Sequence, residues 1–278
     1  MKTDFSVSMC VYAGDCAQHF DAALNSVIDQ TVKPAEVVLT VDGPIPAEIS
    51  GVIDKYDYIL KEDGIAFKVI RLEKNMGHGD ARRTSLSNCS YPLVALMDSD
   101  DISARDRFEK ELDAFSADPG LSVVGGHIAE FMNDDPEIIT ARRLVKLSDR
   151  EIKEDLKTRC PMNQPTIMFR QKDVQEVGGY IDWFCNEDYY LWIRLALADK
   201  KFRNIDADLV KMRVDENFYK RRGGYRYYKS EAGIQKLLLN SGYIGIPTYL
   251  ANKTKRFIVQ VMLPNSVRSR VLNMFARH

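Results

Sequence analysis

At 278 residues, 45% hydrophobic and 28% charged, the chain has enough apolar material for a sizeable core, which excludes a disordered protein. Its 39 Lys and Arg against 40 Asp and Glu give a formal charge of -1, so no global basic field points to nucleic acid as a partner. Five cysteines without a C-x-x-C pair and four histidines without zinc-ligand spacing favour neither a disulfide framework nor a zinc site, and the expectation is reduced, cytoplasmic thiols.

The amino terminus has no basic, apolar and small-residue succession of a leader, and no stretch reaches membrane-spanning length, so a soluble or peripheral protein is expected. Residues 5–12, FSVSMCVY, form a β-branched apolar run, and Phe20, Leu24, Val27 and Ile28 follow at helical spacing. AEVVLTVDGP is a second strand closed by Asp42, Gly43 and Pro44, and PAEISGVIDKYDYIL a second helix. AFKVIRL, GDARRTSLSNC, YPLVALM and ARDRFEKELDAF repeat the strand and helix alternation twice more. Such alternation predicts an α/β fold with right-handed βαβ units and a mainly parallel sheet covered on both faces. After LSVVGG the alternation fades through a polar segment over residues 132–162. TIMF, EVGGY and NEDYYLWIRLALADK then give a mixed second half. From Lys220 the composition turns basic and aromatic, which divides the chain into 1–219, with halves 1–101 and 102–219, and a helical extension over 220–278. No internal repeat is present.

In ALMDSDDISA, three carboxylates, Asp98, Asp100 and Asp101, crowd behind an apolar strand. Two carboxylates about 4 Å apart repel by roughly 4 kcal/mol at an effective dielectric near 20, so the cluster calls for water, protons or a cation. The carboxyl ends of strands are where open α/β sheets bind ligands, and D-x-D spacing there suits Mg²⁺ or Mn²⁺ completed by water and phosphate. One aspartate suffices to cap the helix that follows, and Asp101 is assigned that role. Glu187 and Asp188 open another helix, where they fit either a helix dipole or a catalytic pair. Arg221 and Arg222, with Arg226, flank a glycine pair suited to diphosphate. NMGHGDARR lacks the G-K-[ST] of a P-loop and the context of a dinucleotide fingerprint, and His19, His78 and His127 read as surface or capping residues.

Taken in order, SVSMCVYAGD, the Q-T turn before AEVVLTVDGP, NMGHGDARRTSL, ALMDSDDISARDRF and NEDYYLWIRL resemble the motifs of the family 2 inverting glycosyltransferases with the GT-A fold. VDGP, NQPTIMF and FYKRRGGYRYYKSE further resemble bacterial enzymes that build exopolysaccharide, capsule or lipopolysaccharide, including the amylovoran biosynthesis type. The resemblance implies a Rossmann-like sheet and transfer of a sugar from a nucleotide diphosphate, with UDP favoured, to a glycan or lipid-linked glycan. It places Cys10, Val11, Tyr12 and Asp42 at the base and ribose, Asp98 at the ribose and cation, and Asp100 at the cation. Arg82, Arg221 and Arg222 would lie by the diphosphate. Asp188 would be the general base with Glu187 orienting it, and Asn163, Gln164 and Trp183 would shape the acceptor pocket. One departure is Val41, where many relatives carry a base-pairing aspartate. A lipid-linked acceptor further implies a peripheral membrane contact through the carboxyl-terminal segment, where Arg268, Arg270 and Arg277 alternate with apolar residues.

Two other classes compete. A sugar-nucleotide nucleotidyltransferase would want a glycine-rich loop with a basic residue after the first strand, and VYAGDCAQ has one glycine and no base. A non-catalytic sugar-nucleotide or glycan-binding module would not need both carboxylate pairs.

Overall fold

The computed structural model describes residues 4–132, 134–214 and 223–263. The first half follows the alternation: β1 (Phe5–Val11), α1 (Ala17–Ile28), β2 (Glu36–Val41), α2 (Ala47–Glu62), β3 (Ala66–Arg71), α3 (His78–Ser87) and β4 (Leu93–Met97). A two-residue strand β5 (Ile102–Ser103) then precedes α4 (Arg107–Ala117). The second half holds β6 (Leu121–Phe131), β7 (Ile139–Arg143), α5 (Asp149–Asp155), β8 (Met168–Arg170), α6 (Gln171–Glu176), α7 (Glu187–Leu197) and β9 (Lys201–Arg213). Helices α8 (Tyr225–Asn240) and α9 (Ile246–Phe257) follow, and a π turn continues α9 through Met262.

Nine strands form one sheet among the described residues, in the order β3-β2-β1-β4-β8-β6-β9-β5, with β7 on β6. The β1, β2, β3 and β4 pairings are parallel, whereas β8 is antiparallel to β4 and β6. Strands covered on both faces read as unbroken apolar runs, and β4 does so, while β1 and β2 are buried almost throughout but carry Ser6, Ser8, Glu36 and Thr40 among their apolar residues. Their side chains alternate between two cores. Val37 and Leu39 join Phe20, Ile53 and Phe108 on one face, while Val38, Val94 and Leu96 join Trp192, Tyr180 and Phe169 on the other. Ile234 and Leu238 of α8 belong to the second core and Tyr249 of α9 packs against it, so the carboxyl-terminal helices share that core.

The polar segment over 132–162 contains β7 and α5, which the sequence pattern did not reveal. Ser148 and Glu151 start α5 with reciprocal side-chain caps, two donors satisfied at once. The 13-residue β9 was also missed, because its half-buried alternation follows a charged start. Glycines at 125 and 126 let β6 pass beneath its neighbours, since a Cβ at Gly126 would stand 2.6 Å from Leu209.

The fully buried Arg107 fixes the end of β4. Its Nε donates to Glu111 Oε1 at 3.0 Å, and its Nη2 to the carbonyls of Leu96 (2.9 Å) and Ile167 (3.3 Å). Removing one partner of such a pair costs about 3–5 kcal/mol, because the other charge stays buried.

Candidate active site

The carboxyl ends of β1, β2 and β4 open onto a cleft of about 670 Å³ lined by Cys10, Val11, Tyr12, Asp42, Arg82, Asp98 and Asp100. The first four come from the ends of adjacent parallel strands, where the chain must turn and its side chains are free to face a ligand. Tyr12 is 47% exposed, whereas the Val11 side chain packs in the core. Burial pushes the Cys10 thiol up to about 12, so it lines the cleft uncharged.

Val41 is buried in the first core and Asp42 is the β2 carboxylate at the cleft. Asp42 Oδ1 accepts the Met76 N–H (2.6 Å) and Oδ2 the Gly77 N–H (3.1 Å). This carboxylate therefore positions the loop ahead of α3, where Gly77 takes a φ of +88° that favours glycine.

Arg82 on α3 is the hub. Its Nη2 donates to Asp98 Oδ1 at 2.6 Å, and its Nη1 lies 3.9 Å from Glu187 Oε1. Burial opposes its charge, but Asp98, Tyr180 and Glu187 around it raise its pKa. The guanidinium thus joins the D-x-D segment to the first turn of α7.

Around the D-x-D segment, Asp15 adds a fourth carboxylate, accepting from the Tyr12 N–H (3.1 Å) and the Ser99 hydroxyl (2.9 Å). Desolvation first, then the charges of Asp98 and Asp15, push Asp100 up to about 6. Asp101 is 2% exposed and held well above the usual carboxylate range, by burial and then by Asp100 and Asp98. It does not cap a helix. Because β5 intervenes, α4 begins later, with Asp106 at its cap position, and Asp101 Oδ1 instead accepts the Arg213 N–H at 2.9 Å.

Among the described residues no three His, Cys, Asp or Glu side chains are grouped to hold a metal ion by themselves. The donor chemistry still fits a hard divalent cation that keeps waters and takes substrate phosphates, since such ions need one or two protein carboxylates. After desolvation, the charges of Asp98 and Asp15 add to the rise at Asp100, and such a cation would offset them.

On α7, burial and then the Asp188 charge raise Glu187 above its ordinary value. His78 Nδ1 lies 3.4 Å from Glu187 Oε1, and the Arg82 charge, with burial, pulls His78 down to about 4. Asp188 Oδ1 accepts the Tyr189 N–H at 2.6 Å, and Oδ2 the thiol of Cys160 at 3.6 Å. Burial first and then the Asp188 charge hold Cys160 well above its usual value, so the thiol keeps its proton, for which Asp188 Oδ2 and the Met162 carbonyl at 3.5 Å compete.

The three expected acceptor residues lie elsewhere than a common open pocket. Asn163 is fully buried, and its Nδ2 donates to the carbonyls of Gly126 (2.9 Å) and Arg143 (3.2 Å), so it secures backbone. Gln164 is 9% exposed with its Nε2 3.4 Å from the Tyr180 hydroxyl. Trp183 stacks on Tyr190 at 4.6 Å and donates to the Ser230 carbonyl at 3.1 Å, tying the loop before α7 to α8. Arg221 and Arg222 lie outside the described residues, and Arg226 sits over the Phe184 ring at 3.9 Å. Of the histidines read as surface or capping residues, His19 and His78 line the cleft. His127 is 7% exposed, accepts from the Val145 N–H at 3.3 Å and pairs with Asp206 at 3.0 Å. Sequence reasoning missed Asp15 and Arg213 in the cleft. Asp15 had a signal, a lone carboxylate just behind the first strand, but Arg213 had none.

The chain is 32% identical over 273 residues to the Escherichia coli UDP-Gal:alpha-D-GlcNAc-diphosphoundecaprenol beta-1,3-galactosyltransferase, covering 98% of this chain and 96% of that one. It is 28% identical over 260 residues to the amylovoran biosynthesis glycosyltransferase AmsE of Erwinia amylovora, covering 92% and 95%. Solved structures share the GT-A fold. TarS of S. aureus in complex with UDP has a TM-score of 0.65 at 18% identity, covering 98% of this chain and 75% of that one. The chain spans 44% of a longer TarS chain. The Pyrobaculum calidifontis mannosyltransferase PcManGT, in complex with GDP-Man and Mn2+, has a TM-score of 0.66 at 13% identity, covering 100% and 77%. The family described as Glycosyl transferase family 2 matches residues 6–178, more than half of the sequence, and the chain belongs to it.

Proposed function

We propose that this glycosyltransferase moves a hexose from a UDP-sugar, with UDP-galactose the first choice, to a hydroxyl of a lipid-linked sugar in bacterial surface polysaccharide assembly, with inversion at the anomeric carbon. The observation that carries the reading is Arg82, a cleft residue that pairs with Asp98 of the D-x-D segment and reaches Glu187 beside Asp188, which supports a leaving-group side and a base on either side of one guanidinium. The galactosyltransferase and amylovoran relatives support the donor and acceptor classes.

Tyr12 and Cys10 line the floor for base and ribose, and Asp42 keeps the loop before α3 in place around them. Asp100, with Asp98 beside it, would hold a divalent cation, Mn²⁺ or Mg²⁺, which when bound neutralises charge developing on the departing diphosphate. Asp188 takes the proton from the acceptor hydroxyl as that oxygen bonds to the anomeric carbon. The bond to the diphosphate oxygen breaks on the opposite face, and the electron pair leaves with UDP. Glu187 and Arg82 orient this carboxylate side of the cleft. No covalent intermediate forms.

A lipid-linked acceptor calls for work at a membrane surface. No helix among the described residues is long and apolar enough to cross a membrane. The exposed Ile246, Leu250, Ile258 and Met262 support a peripheral contact through α9 and its π turn. The arginines expected to share in it, Arg268, Arg270 and Arg277, lie outside the described residues.

The test is a panel of UDP-, GDP- and ADP-sugars offered with a synthetic GlcNAc-diphospho-lipid, with and without EDTA, the product read by NMR. Cation-dependent consumption of a UDP-hexose with an inverted anomeric centre is expected. Transfer that persists in EDTA would remove the cation, and a retained configuration would remove the direct displacement.

A further inference from the structure

Three residues around the cleft have no part in the mechanism above: His19 on α1, Arg213 at the end of β9, and Asp134 between β6 and β7. Arg213 is immobilised beside the D-x-D segment. Its main-chain N–H donates to Asp101 Oδ1 at 2.9 Å, its Nε to the Asp100 carbonyl at 3.2 Å, and its guanidinium lies 4.7 Å from the Phe131 ring centroid. Its Nη1 pairs with Asp134 Oδ1, and the same oxygen is 3.2 Å from His19 Nε2.

The partners differ sharply in exposure. The Arg213 side chain is 13% exposed and that of His19 24%, whereas the Asp134 side chain is 69% exposed, on a backbone with φ of 58°. Two enclosed nitrogen donors that line the cleft are thus answered by one carboxylate reaching in from water. Ion pairs with so exposed a partner are weak and easily exchanged.

We propose that Arg213 and His19 form the diphosphate-binding edge of the cleft, and that Asp134 is a tethered stand-in anion which an entering nucleoside diphosphate displaces. The electrostatics of the cleft favour such an edge beside the cation. Asp15, Asp98 and Asp100 present an acidic wall to any diphosphate, and Arg82 is already engaged by Asp98. Arg213 presents a planar fork that matches phosphate oxygens, and its present partner is the movable one. Burial, with the Arg213 charge beside it, holds His19 below its ordinary value, so in the empty cleft the ring is a neutral hydrogen-bonding group near pH 7. A carboxylate and a diphosphate cannot share these nitrogens without like-charge repulsion, so Asp134 weakens donor binding and favours product release.

The inference rests on the UDP-sugar reading, and the experiment separates the two. Calorimetric titrations of the full chain with UDP, UMP and uridine, in buffer with Mn²⁺, are compared for wild type, Asp134→Asn, Arg213→Gln, His19→Gln and the double variant Asp134→Asn/Arg213→Gln. Asp134→Asn, at an exposed site, is expected to tighten UDP about three- to fivefold, the weight of an exposed ion pair, and to leave uridine unchanged. Arg213→Gln should weaken UDP about 10- to 100-fold, as loss of a charge-assisted hydrogen bond does, and abolish the gain from Asp134→Asn. His19→Gln should weaken UDP more than uridine. UDP affinity unchanged or reduced in Asp134→Asn, or a gain equal for uridine or persisting without Arg213, overturns the inference and leaves the donor assignment standing. Failure of the wild type to bind UDP overturns both.

Discussion

The D-x-D segment and the E-D turn each bring two carboxylates together, yet the fold treats them in opposite ways. Asp98 has Arg82 at 2.6 Å, but Asp100 faces Asp98 and Asp15 with a pKa pushed up to about 6. Asp188 has instead an amide on one oxygen and a neutral thiol on the other, and Glu187 has the far nitrogen of Arg82 and His78. One pair is left in repulsion that a cation relieves. In the other, the guanidinium stands on the Glu187 side, and Asp188 is held by an amide and a thiol alone.

The largest expected break in that comparison comes from Asp188→Asn, which keeps the shape and removes the base. Transfer should fall about 10²- to 10⁴-fold, the usual weight of positioned base catalysis, while UDP affinity holds. Steady-state kinetics beside calorimetry separates the two, and full activity would move the base elsewhere.

Asp100→Asn should act on the other side. The Mn²⁺-dependent gain in UDP affinity should drop by at least about tenfold, a loss seen even for residues one layer beyond the ligands. An unchanged titration would assign the cation to other groups.

A pH series sharpens the same contrast. Asp100 must lose its proton to bind a cation, so cation-dependent UDP affinity should rise as pH climbs through about 6 and fade below it. Stability without cation runs the other way, because an acid with a raised folded pKa favours the folded state less as pH rises through that range. Thermal denaturation with and without Mn²⁺ at pH 5 and pH 7.5 should show the larger cation effect at pH 7.5.

The smallest effect is expected from Cys160. Loss of its thiol in Cys160→Ala should lower kcat about two- to fivefold, with the donor KM unchanged, and Cys160→Ser should restore it by supplying a hydroxyl donor. Equal kcat in all three would reduce the thiol to packing.

Much of the donor half was legible because its order is local. Short apolar strands and period-3.6 helices follow one another over residues 5–117, and the motifs sit at or just past the strand ends. The region beyond depends on partners far apart in sequence. Arg213 meets Asp100 and Asp101 only because β9 runs back across the sheet to β5, a pairing over more than a hundred positions that no local pattern announces. Residue type misled at Asn163, a polar side chain spent on buried carbonyls, and at Asp101, whose cap position vanished once two residues became a strand. His19 looked like a helix surface, since only the neighbouring loop reveals which side is the cleft.

The buried Arg107 ties the Leu96 carbonyl, two residues before Asp98, to the turn ahead of β8 and to Glu111. It meets no substrate, yet the angle at which the acidic segment leaves its strand is set from this helix. In a random mutagenesis screen scored by glycan output, substitutions at 107 and 111 should therefore cluster with those of the cleft and pass for substrate contacts. A parallel screen scored by folded protein alone would tell the two groups apart.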